Sequence, residues 1–196
     1  MKLILITITI ILAVTLLVHC TSNRQKDINA LDSVKRHIVF TNILFGDQLH
    51  TLSSQIAKGA TDEQIQKSFE ELRRIYKQME WAVGYFMPET ARFTNGPALD
   101  EIEFEEHAIL EAEGMQVLEE WLYPLVDTGQ NDEMQRMIKK LSNKSLAIDT
   151  YFQANNISMP QLMDALRSQI FRITTLGITG FDTPVSGTGL KEAGWS

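Results

Sequence analysis

Beyond position 30, apolar residues recur at three- and four-residue steps along most of the chain, the spacing that gathers them on one face of a helix. Leu31, Val34, Ile38, Phe45, Leu49, Leu52 and Ile56 make the first such stripe, and Gly59 ends it. Thr61 and Gln64 then stand at capping-box spacing, where the hydroxyl takes a free amide and the glutamine side chain reaches back. The stripe they open is Ile65, Phe69, Leu72, Tyr76, Met79, Val83 and Phe86, stopped by Pro88, whose ring a helix interior does not tolerate. A short helix is expected over Gly114 to Leu125, and a longer one begins near Asn131 with Leu141, Ile148 and Phe152 inward. The last opens at Ser158 with Pro160 and Gln161; its expected stripe is Leu162, Leu166, Ile170, Ile173 and Leu176, closed by Gly177. About five helices joined by short loops predict an all-α fold, an antiparallel helical bundle. No hairpin signal, internal repeat or low-complexity stretch competes with that expectation.

The first twenty residues read differently. Lys2 is followed by an uncharged, mostly apolar run from Leu3 to Val18, and the polar run TSNRQKD begins directly after Cys20. That is the shape of a signal peptide, and the run falls short of the ~20 residues that span a bilayer. Leu17-Val18-His19-Cys20 resembles a bacterial lipobox, in which the cysteine is lipidated and opens the mature chain; His19 stands where that pattern takes a small residue. The expected organisation is a lipoprotein signal over 1–20, a tether over 21–30, a helical domain over 31–184 and a short tail over 185–196. Lipid at Cys20 would hold the domain on the periplasmic side of a membrane.

Composition narrows the chemistry. With 196 residues and 44% hydrophobic content there is material for one domain with a real core. A net charge of -7 without a basic stripe excludes a nucleic-acid partner. Cys20 is the only cysteine, so neither an intrachain disulfide nor a CxxCH haem attachment is available. Any haem must therefore belong to a partner.

Candidate side chains concentrate between the second and third expected helices. After the turn signal Asn95-Gly96-Pro97 come Asp100, Glu101, Glu103, Glu105, Glu106, His107, Glu111 and Glu113, an acidic run that reads as a solvated face or as a site for a hard cation or a basic protein. His107 and Glu111 stand at i, i+4, which on a helix points both side chains the same way as two metal ligands. His37 and His50 are isolated on the first helix, and Met115, Met134, Met137 and Met163 sit at core spacing. No G-x-S-x-G, H-E-x-x-H or Gly-rich phosphate loop occurs, so the sequence offers no catalytic residue.

Three segments carry a family resemblance: Phe86 to Leu99 (FMPETARFTNGPAL), Glu113 to Pro124 (EGMQVLEEWLYP) and Phe171 to Pro184 (FRITTLGITGFDTP). Together they resemble the imelysin-like region that precedes the dihaem domain in long cytochrome c peroxidases. Aligned on Gly114, the middle segment is similar to the GxHxxE helix of imelysin-like proteins, with Glu119 in place and Gln116 where the histidine belongs. The resemblance implies an imelysin-like helical bundle, and an inward-facing Glu119 that must be paired or neutralised; Arg172 is the expected partner. It also implies a non-catalytic binding or assembly module working beside a c-type dihaem peroxidase chain. The alternative is a periplasmic iron-binding protein with Glu119, Glu113 and His107 as ligands, and a third is a metallopeptidase; Glu111 stands beside these only as a further metal candidate.

Overall fold

The computed structural model describes residues 2–103, 108–177 and 185–186, with side chains from Lys26 onward other than 101–108 and 176–177. In chain order the described elements are α1 (Lys2–Ala57), α2 (Asp62–Phe86), α3 (Pro88–Asn95), β1 (Glu101–Glu103), β2 (Ala108–Leu110), α4 (Met115–Leu122), α5 (Asn131–Ala154) and α6 (Met159–Arg172). A 3-10 turn over Thr128–Gln130 leads into α5, and a π turn over Ile173–Gly177 follows α6. The chain is mostly helical. Among the described residues no helix is long and apolar enough to cross a membrane. The side chains of Leu3 to Val18 and of Cys20 lie outside the described residues, and residues 21–30, expected as a tether, continue α1.

Local signals set most helix ends. Thr61 and Gln64 complete a capping box at the start of α2, and Ser158 and Gln161 complete another at α6. Pro88 both halts α2 and supplies the first residue of α3, where its missing N–H costs nothing. The core lies where α1 meets α2 and α5. Phe45 of α1 packs on Tyr76 of α2 with ring centroids 5.5 Å apart, while Gln48 donates to the Ser68 carbonyl at 2.9 Å. Lys35, Asn42 and Ser53 of α1 bond to Asn155, Ser145 and Gln135 respectively, so α1 and α5 run in opposite directions. The expected stripes of α1 and α2 supply this core: Ile38, Phe45, Leu49, Leu52, Phe69, Leu72, Tyr76, Met79 and Val83 are all buried.

Two expectations are overturned. The acidic run between Asn95 and Gly114 contains a strand pair, with Glu101 opposite Leu110, Ile102 opposite Ile109 and Glu103 opposite Ala108. Residues 108–110 are extended, so the helical i, i+4 geometry expected for His107 and Glu111 does not exist; His107 itself lies outside the described residues. On α6, Leu166 and Ile170 face outward, and the buried positions are Leu162, Ala165 and Gln169. The reason is electrostatic. Leu162, Ala165, Gln169 and Arg172 share one face, and turning that face to α2 brings the Arg172 cation onto a buried carboxylate.

Candidate functional site

Arg73, Lys77 and Glu80 stand at i, i+4, i+7 on α2, immediately beside its apolar stripe, and all three are buried. Glu80 is the centre. One carboxylate oxygen, Oε2, accepts from Lys77 Nζ at 2.8 Å, while Oε1 accepts from Arg172 Nη2 at 2.8 Å and from Asn95 Nδ2 at 3.0 Å. Burial alone pushes the Glu80 carboxyl up. The charges of Lys77 and Arg172, with hydrogen bonds from Lys77 and Asn95, outweigh that cost and bring it from 4.5 down to about 2.

Asn95 joins this cluster to the next. Its side-chain oxygen accepts from Arg73 Nη1 at 3.0 Å, and its backbone carbonyl accepts from Gln116 Nε2 at 3.1 Å. The chain can present Asn95 this way because Gly96 follows it: a Cβ there would lie 2.3 Å from the Arg92 carbonyl oxygen.

Gly114 caps the start of α4 with φ +112°, a conformation that L side chains rarely adopt. A Cβ at this position would lie 2.7 Å from the Thr94 carbonyl oxygen and 2.9 Å from that of Phe93. The glycine thus lets α4 begin in contact with the end of α3, and its N–H donates to the Met137 sulfur at 3.1 Å. From that start Gln116 and Glu119, three residues apart, both point inward and are buried.

Glu119 is not paired with Arg172, whose ion pair is with Glu80. Its Oε1 instead accepts the backbone N–H of Ser186 at 2.8 Å, and its Oε2, fully buried, has no hydrogen-bond partner among the described residues. The expected pairing fails because two residues of α2 and α3, Lys77 and Asn95, already fix Glu80 beside α6, where Arg172 meets it first.

The other metal candidates disperse. Glu113 is held between Lys140 and Lys144 of α5, each at 3.2 Å, and Lys144 also sits 4.7 Å above the Phe93 ring. Glu111 is exposed, as are His37 and His50. Among the described residues no three His, Cys, Asp or Glu side chains gather where they could hold a metal ion. Glu80 is poorly suited to proton abstraction near neutral pH, since a base that titrates at about 2 has little affinity for a proton there. Arg73, Lys77, Glu80 and Asn95 were not among the residues expected from sequence. For Arg73, Lys77 and Glu80 the sequence carries only their spacing, i, i+4, i+7 beside an apolar stripe, which a solvated flank shares. No protein-family model, curated protein or solved structure matches the chain.

Proposed function

We propose that this chain is an exported, lipid-tethered, non-catalytic helical module of imelysin-like bundle architecture that binds or assembles with a c-type haem peroxidase chain. The observation that carries the non-catalytic reading is the state of Glu80. Its carboxylate is surrounded by Lys77, Asn95 and Arg172 and held far below neutrality, which suits a structural clasp and not an acid or base. Gln116 supports the same reading, because its amide donates to the Asn95 carbonyl where the imelysin-like pattern has an imidazole ligand. The helix signature here joins α3 to α4. Haem belongs to the partner in this reading, since the only cysteine is Cys20.

Affinity capture of the full chain from its own membranes tests the proposal. A co-purifying polypeptide that stains for covalent haem is expected, together with a melting temperature that chelators leave alone. The iron-binding reading has one observation in its favour, the Oε2 of buried Glu119, which has no hydrogen-bond partner among the described residues. Stoichiometric iron in the purified chain, lost in Glu119→Gln, would place that reading first.

A further inference from the structure

We infer that Asn95-Gly96 is a modification site: the folded chain shields it, whereas an opened chain deamidates there and cannot rebuild the link between Glu80 and Gln116. Asn-Gly occurs once in the sequence. Glycine lacks the Cβ that hinders its own nitrogen from approaching the preceding side chain, so this dipeptide is the one most prone to the reaction. The fold places that labile amide at the junction of Arg73, Glu80 and Gln116.

The chemistry is intramolecular up to its last stage. The Gly96 nitrogen attacks Cγ of Asn95, and a new C–N bond closes a succinimide as the Cγ–Nδ2 bond breaks. Ammonia leaves, carrying the proton that the Gly96 nitrogen gives up. Water then opens the ring at either carbonyl, giving aspartate or, with the backbone rerouted through the side chain, isoaspartate. Each requirement is obstructed in the fold. The Gly96 N–H is engaged, donating to the Arg92 carbonyl at 2.6 Å. The Asn95 carboxamide is held at both ends, with Nδ2 donating to Glu80 Oε1 and Oδ1 accepting from Arg73 Nη1, each at 3.0 Å. Asn95 is 2% exposed, which keeps the hydrolytic water away. A reaction that needs all three to yield proceeds from an opened state, at a rate set by how often the end of α3 opens.

The product does not fit back. Either acid removes the Nδ2 donor to Glu80 and sets a second carboxylate beside the first. Isoaspartate also adds one carbon to the backbone directly ahead of Gly96, where a Cβ would already lie 2.3 Å from the Arg92 carbonyl oxygen. The carbonyl that accepts from Gln116 is displaced with it. Opening at this point thus becomes irreversible through a covalent change.

The test incubates the full chain at mildly alkaline pH, folded or in guanidinium, and follows conversion by peptide mapping and isoaspartyl methyltransferase labelling. In denaturant Asn95 is expected to convert ahead of every other asparagine, and in the folded chain at least about tenfold more slowly. In native buffer, Glu80→Ala removes the acceptor of Nδ2 and should speed conversion several-fold over the core variant Leu52→Ala, the two matched in stability by small additions of denaturant. The isoaspartyl chain, separated from its parent by ion exchange and refolded, should melt lower. Equal rates in the folded and unfolded parent, or conversion led by another asparagine, would overturn the inference. So would equal rates in the two matched variants, or an isoaspartyl chain that melts with its parent. The parent comparisons need no substitution, so they decide the matter even if Glu80→Ala does not fold.

Discussion

Glu80 and Glu119 occupy neighbouring parts of one polar interior, exposed by 1% and 0% respectively, yet they are served in opposite ways. Around Glu80, three side chains from α2, α3 and α6 donate to its two oxygens, and two of the three are cations. Around Glu119, a single backbone N–H meets one oxygen and nothing among the described residues meets the other. Burial costs a carboxylate several kcal/mol in either place, so only the first has a compensation that makes it a cross-link between helices. The second is placed by Gly114 and the start of α4, with the Ser186 N–H as its one hydrogen bond among the described residues.

The comparison is most sharply broken at Glu80. Glu80→Ala removes the carboxylate to which both Lys77 and Arg172 donate, and denaturant unfolding should register a loss of about 3–5 kcal/mol. Adding Arg172→Met to that variant should cost less than the two single losses together, because the Glu80–Arg172 contact is already lost in the first change. A loss below about 1 kcal/mol in Glu80→Ala would mean that the cluster contributes no more than a surface ion pair.

Acid reads the same site. Glu80 titrates at 4.5 ordinarily and at about 2 in the folded chain, so its stabilisation is complete above 4.5 and disappears as pH falls toward 2. The decrement over that window should be about 3 kcal/mol. In Glu80→Gln the decrement should shrink by that amount; an unchanged acid limb in this variant would remove Glu80 from the account.

Gly114→Ala comes next, at about 1–3 kcal/mol, because the added Cβ meets backbone oxygens of α3 in a conformation L side chains avoid. Thermal unfolding would detect it. Glu119→Gln should be the smallest, under about 1 kcal/mol, since the amide oxygen can still accept from Ser186. A loss as large as that of Glu80→Ala would show that Oε2 has an essential partner, and would favour the iron-binding reading.

Much of the helical frame was legible because its signals are local. Capping boxes at Thr61 and Ser158, the Pro88 stop and the two long stripes each depend on residues a few positions apart. The strand pair was missed although Glu101-Ile102-Glu103-Phe104-Glu105 alternates with period two, because the density of acidic residues drew the reading toward charge and away from periodicity. The outward turn of Leu166 and Ile170 had no local signal. It follows from a demand made on α6 by Glu80, 92 residues from Arg172 in the chain. Gln116 and Glu119 were found by motif and Arg73, Lys77 and Glu80 were not, because a charged triplet beside a stripe has the same spacing as a solvated flank until the neighbouring helices are placed.

That span of 92 residues also bears on when the cluster forms. Local contacts and the α1–α2 pairing require short loops to close, whereas the Arg172–Glu80 contact waits for α6 to return across the rest of the chain. An interaction absent from the transition state leaves the rate of folding alone and raises the barrier to unfolding. Arg172→Met should therefore steepen nothing on the refolding limb of a chevron and speed the unfolding limb, making this contact a brake on opening: its contribution is the lifetime of the native state rather than the ease of reaching it.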